Sequence, residues 1–164
     1  MKKTLILLIL FSVMISVALP ISASTSNTNI GPENKDIIFF DDGSYLITEI
    51  KFDIDNNNYT TASTTYNKRG TKTANYYSND DELLWVYTLT GEFTVTNGIS
   101  ATCTNATHSK TIYSSKWSFS DESTYAARNV AHGKGVFKKK VLLITMETVD
   151  VDLSITCDVY GNLS

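Results

Sequence analysis

The sequence predicts an all-β fold: an antiparallel β-sandwich, Ig-like or related, of about seven to nine strands. Three observations carry that expectation. Apolar and polar side chains alternate over Leu84–Val95 and Val149–Tyr160, the period-2 mark of a half-buried strand. Turn signals such as Asp41-Asp42-Gly43 and Thr96-Asn97-Gly98 punctuate short apolar runs,. No stretch beyond the first 23 residues keeps a 3.6-residue period over three turns,. No internal repeat is detectable.

Residues 1–23 read as a secretory signal peptide. Lys2 and Lys3 form a positive start, Leu5–Leu19 is an apolar run of 15 residues, Pro20 breaks it, and Ala23 offers a small residue for cleavage,. A permanent membrane anchor would want about 20 apolar residues, so none is expected. Residues 24–35 are rich in Ser, Thr and Asn and read as a flexible leader,. A single domain is then expected over residues 36–164.

Within it, Ile37–Phe40, the turn at Asp41-Asp42-Gly43 and Ser44–Phe52 read as a hairpin,. Thr71–Tyr77 reads as a strand, whereas Asn56–Arg69 fits either a ragged edge strand or a long loop. Leu84–Val95 puts Trp85, Tyr87, Leu89, Phe93 and Val95 on one face. A three-residue loop Thr96-Asn97-Gly98, with Gly98 in the left-handed region, would pair Val95 with Ile99, Phe93 with Ala101 and Gly91 with Cys103. Ile112, Trp117 and Phe119 mark a short strand. Tyr125–Ala131 is ambiguous between strand and short helix. Val136–Ile144 leads to a bend near Leu143–Thr145. The last strand puts Val149, Val151, Leu153, Ile155 and Cys157 on the core face and Asp150, Asp152, Ser154 and Thr156 on the wet face.

Export gives the two cysteines a meaning. Outside the cytosol, Cys103 and Cys157 read as a disulfide, both sulfurs lying on inward faces; two buried free thiols are the alternative. The chain carries 14 basic and 17 acidic side chains, net −3; losing Lys2 and Lys3 leaves 12 against 17, net −5. That argues against nucleic-acid binding through a basic face. Residues 24–100 hold 11 acids and 5 bases, residues 101–164 hold 6 acids and 7 bases. The local excess centres on Lys138, Lys139 and Lys140, with Lys134, Arg128 and His132 upstream. This patch suits contact with an anionic wall polymer or a membrane surface, or serves as a solubilising edge.

Other candidates are weaker. Asp53-Ile54-Asp55-Asn56-Asn57 opens like a calcium loop, but Asn58 stands where glycine is wanted and Thr64 where glutamate is,. No metal or other cofactor is expected. Asp80, Asp81 and Glu82 read as a solvated turn, and Asp150 and Asp152 as a face that blocks strand pairing. Trp85 and Trp117 fall in phase with the core; Tyr59, Tyr66, Tyr76 and Tyr77 are the better candidates for exposed contacts. Only His108 and His132 are available as histidines, and no nucleophile–base arrangement is legible, so an enzyme is not expected.

Several segments carry a resemblance: Asp42-Gly43-Ser44-Tyr45, Leu84-Trp85 through Thr90-Gly91-Glu92-Phe93-Thr94, Ala101-Thr102-Cys103-Thr104, and Thr156-Cys157 ending in Gly161-Asn162-Leu163-Ser164. The chain resembles an uncharacterised family of small secreted two-cysteine proteins of Gram-positive bacteria. The resemblance implies export and the cysteine pair; it implies no activity. Where many of those proteins read Gly-Ile-Pro, this chain has Leu143-Ile144-Thr145. The function expected is therefore a secreted, non-catalytic binding protein acting at or outside the cell envelope, on a cell-wall polymer or another extracellular protein. A secreted hydrolase working through carboxylates, and a secreted antagonist or toxin-like factor, are the alternatives.

Overall fold

A computed structural model describes residues 35–52, 64–142 and 144–164. Eight strands are described: β1 (Lys35–Phe39), β2 (Tyr45–Phe52), β3 (Thr65–Tyr77), β4 (Leu83–Thr96), β5 (Ser100–Ile112), β6 (Trp117–Ala127), β7 (Val130–Val141) and β8 (Ile144–Thr156). They form two antiparallel sheets, β1-β2-β3-β4-β5 and β6-β7-β8. The expected sandwich is present. Among the described strands each pairing joins sequence neighbours, so each sheet runs there as a meander. The expected signal peptide and leader up to residue 34, the calcium-like Asp53–Asn57 segment and Tyr59 lie outside the described residues.

β4 shows why this sequence makes this fold. Its inward residues Trp85, Tyr87, Leu89, Phe93 and Val95 are at most 1% exposed, while Glu92, one step out of phase, is exposed. Full burial of each such apolar side chain is worth about 1.5–3 kcal/mol before the entropy of ordering is subtracted. Phe137 of β7 and Val149, Val151, Leu153 and Ile155 of β8 meet them from the second sheet. Where β4 presents Tyr87, β7 presents Gly135: a Cβ there would run into the Phe119 ring and stand 3.3 Å from Tyr87. The missing side chain lets β7 approach two rings at once.

One seam of the sandwich is joined. His108 Nδ1 on β5 lies 2.7 Å from Thr124 Oγ1 on β6, Lys110 reaches Glu122 at 2.7 Å, and the Cys103 amide donates to the Arg128 carbonyl at 2.6 Å. On the other side of the first sheet, edge strand β1 touches only β2 among the described strands, and all five of its residues are exposed.

Several expectations need correction. The β4–β5 loop is Asn97-Gly98-Ile99, so Val95 faces Ala101 and Phe93 faces Cys103, two residues away from the expected register. The shift is even, so inward residues stay inward. Gly98 has the expected positive φ of 71°. A bulge after Glu92 then sets Gly91 opposite Ala106. Ile112 ends β5 and Trp117 begins β6, so they mark two strands with a turn between. Tyr125–Ala131 is the end of β6, a turn at Arg128-Asn129 and the start of β7. Of the undecided Asn56–Arg69 segment, Thr65–Arg69 belongs to β3.

The C-terminal residues cap the end of the sandwich that carries the cysteines. The Asp158 carboxylate accepts the Tyr160 amide and the Asn162 amide at 2.8 Å each and the Asn162 side chain at 2.7 Å. Burial opposes ionisation there, yet these hydrogen bonds hold the Asp158 carboxyl below its ordinary range,. Gly161 turns the chain with φ +80°, a region L side chains rarely enter,. Leu163 then packs over Gly70. Thr156 and Ser164 exchange both backbone hydrogen bonds. The segment Gly161-Asn162-Leu163-Ser164 is thus a structural cap.

Candidate functional site

The end opposite this cap is built differently. The Asp41-Asp42-Gly43 turn joins β1 to β2, and Asp42 accepts hydrogen bonds from both the amide and the hydroxyl of Ser44. Those bonds hold the Asp42 carboxyl below its usual range. Ser44 Oγ lies 2.7 Å from the hydroxyl of Tyr76 on β3, which also donates to Glu147 on β8. Glu147 in turn meets Lys139 of β7 at 3.1 Å. Burial first, and the Glu147 carboxylate second, push the Tyr76 phenol up, so it stays a neutral donor. The chain Asp42–Ser44–Tyr76–Glu147–Lys139 ties the two sheets together at this end.

In front of that chain lies an open cleft of about 440 Å³, lined by Phe40, Asp41, Asp42, Lys139, Met146 and Glu147. Two apolar arms flank it. The first is β1, where Ile37 is 49%, Ile38 54% and Phe39 73% exposed. Phe39 continues a row of rings across the sheet: its centroid is 5.8 Å from Tyr45, and Tyr45 stacks on Tyr77 at 5.0 Å. The second arm is the β7–β8 hairpin tip. Val141 is 45%, Ile144 64%, Met146 65% and Leu142 92% exposed. Phe40, next to β1, and Met146 of β8 both line the cleft. Exposed apolar side chains scattered singly are ordinary; a concentration of them at one end of the sandwich marks a contact surface.

The expected site residues distribute as follows. Lys138, Lys139 and Lys140 do not share a face, because strand alternation splits them. Lys139 points inward, 3.1 Å from Glu147 and 6.0 Å above the Trp117 ring. Lys138 is half-buried on the outer face and Lys140 is exposed there. Lys134 is paired with Asp152 at 2.7 Å, and His132 stacks on Tyr125 at 4.8 Å. Asp150 and Asp152 are exposed on β8 as expected. Asp81 accepts a hydrogen bond from the Tyr45 hydroxyl at 2.9 Å.

Trp85 and Trp117 are core residues, 0% and 5% exposed. Tyr76 corrects its expectation: it is 0% exposed, because it lies in phase with inward Ala74. Tyr66 hydrogen-bonds the Tyr160 carbonyl at 2.9 Å, and Tyr77 is half-buried in the ring row. Both are tied into the fold.

Cys103 and Cys157 are inward and buried, as their phases require, but they stand as free thiols, so the expected bond between them is not formed in this structure. Their sulfurs hydrogen-bond backbone carbonyls instead, Asn105 at 3.4 Å and Asp158 at 3.5 Å. Their amides donate to successive carbonyls of one turn, Arg128 and Asn129, so a single turn holds both cysteines. Burial raises both thiols, Cys157 to about 11. Thiols kept protonated at neutral pH make poor nucleophiles.

The rim itself was not singled out from sequence. A signal was available: the apolar run Val141–Ile144 contains no turn residue, and the structure puts Leu142 at φ 49°, a conformation that favours Asn and Gly. No family model, curated protein or solved structure matches the chain.

Proposed function

We propose that the protein is exported, loses residues 1–23 and acts as a non-catalytic binding module at or outside the cell envelope. The observation that carries this reading is the apolar rim formed by β1 and the β7–β8 tip. Soluble domains manage sheet edges with charges, prolines or short strands, yet Ile37, Ile38 and Phe39 of β1 leave an apolar edge open to solvent. Two of the three cleft acids are committed to structure, Asp42 to Ser44 and Glu147 to Tyr76 and Lys139, which favours binding over hydrolysis by paired carboxylates. The resemblance to small secreted two-cysteine proteins of Gram-positive bacteria supports the same compartment.

Protein recovered from the medium of a secreting host is expected to be retained on isolated Gram-positive envelopes. Ile38→Thr, Phe39→Ser and Leu142→Asn together should lower that retention at least about tenfold, the equivalent of about 1.4 kcal/mol. Retention equal to wild type, with the fold intact by circular dichroism, would remove the rim from the account.

A further inference from the structure

The two arms of the rim differ in their charged surroundings. The β1 arm lies beside the acidic turns of the first sheet, which bring Asp41, Asp80, Asp81 and Glu82 to this end. The β7–β8 tip belongs to the other sheet, where the exposed charged residues beside it are Lys140 and Lys116. These two are adjacent, since the Lys140 amide donates to the Lys116 carbonyl at 2.8 Å. The tip therefore presents Val141, Leu142 and Ile144 at its apex, with Lys140 one residue behind them and Lys116 next to Lys140.

We propose that this tip docks on an anionic lipid surface. The inference rests on the binding reading above and names the partner of one arm of the rim. Apolar side chains at an apex enter the boundary between headgroups and acyl chains, while lysines behind them stay at the headgroup level and meet lipid phosphates. Charge complementarity selects an anionic bilayer over a neutral one. It also sets the pose. The exposed acids of the first sheet, and Asp150 and Asp152 of the second, are all repelled by the same surface, so only the tip is turned toward the bilayer. Leu142 supports the assignment separately. A leucine 92% exposed at φ 49° serves neither the core nor the turn, and local rules broken without structural gain mark functional positions.

Co-sedimentation with vesicles tests this. The protein is taken from the medium of a secreting host, so that the apolar run Leu5–Leu19 does not enter the assay. Wild type is expected to sediment with phosphatidylglycerol vesicles and to stay in solution with phosphatidylcholine vesicles. Raising the salt to about 1 M, where the screening length falls to about 3 Å, should weaken binding at least about tenfold. Leu142→Asn with Ile144→Thr should do the same without lowering the unfolding temperature, since asparagine suits the turn. Lys116→Gln with Lys140→Gln should abolish the preference for the anionic lipid.

Sedimentation with both lipids alike, with neither, or undiminished in the Leu142/Ile144 variant would overturn the proposal. The two readings separate cleanly. Retention on lipid-free wall sacculi with no vesicle binding defeats the lipid partner and leaves the binding module standing. Absence of binding to envelopes and to vesicles defeats both.

Discussion

Replacing Trp85 with alanine is expected to cost about 3–5 kcal/mol, the range for deleting a large aromatic from a packed core. Trp85 is fully buried and lies in a ring stack that crosses the sandwich. Its ring is 4.9 Å from Tyr76 on one side and 3.7 Å from Phe137 on the other, nearly parallel to both. Trp117 meets it edge-on at 6.1 Å. Alanine would leave a cavity between the sheets that neither Tyr76 nor Phe137 is free to fill, because Tyr76 is fixed by Ser44 and Glu147. Thermal or urea unfolding measures the loss. Trp85→Phe should cost far less: it keeps a ring in the stack and removes an indole N–H that has no hydrogen-bond partner among the described residues,. If alanine and phenylalanine were equally costly, the stack would not be what holds the sheets.

The second large effect concerns the cysteines. Cys103 and Cys157 are free thiols in this structure; if the protein is exported as proposed, they are expected to be joined by a disulfide in protein recovered from outside the cell. The two thiols lose two protons and two electrons to an extracytoplasmic thiol oxidant, and one S–S bond forms. The loop closed spans about 55 residues, which the chain-entropy model, itself disputed, values at about 4 kcal/mol. Because burial keeps both thiols protonated, oxidation belongs to folding, before the sulfurs are covered; the folded reduced protein should resist alkylating reagents. Mass spectrometry should find the secreted protein two hydrogens lighter than its reduced form. Urea unfolding with and without reductant should show the stability difference, and Cys103→Ser with Cys157→Ser should match the reduced protein. Two free thiols in freshly secreted protein would contradict this.

Much of the fold was legible because one side-chain period governs it. In β4 and β8 every second residue is apolar, and those residues became the core. The phases of Cys103 and Cys157 were readable on the same ground. What failed was whatever the period does not encode. The β4–β5 register moved by two residues because the loop begins at Asn97; a shift of two leaves the inside–outside pattern unchanged, so alternation cannot detect it. Tyr76 looked available for contact because its neighbours in sequence are polar, yet β3 carries it inward in step with Ala74. The three lysines read as one patch in a row of letters, but a strand sends Lys139 to one face and its neighbours to the other. The rim was missed for a related reason. Ile37–Phe39 and Val141–Ile144 look like ordinary core strands in sequence; only the assembled sheets show that their described residues are left exposed.

The central claim, that the envelope is met by this rim, is tested most directly by amide hydrogen exchange on envelope-bound protein. Bound protein should show new protection at Ile37, Ile38 and Phe39, and at Val141, Leu142, Ile144 and Met146, while the outer face of β3, β4 and β5 exchanges as in free protein. Protection confined to that outer face, with both arms of the rim unchanged, would contradict the account.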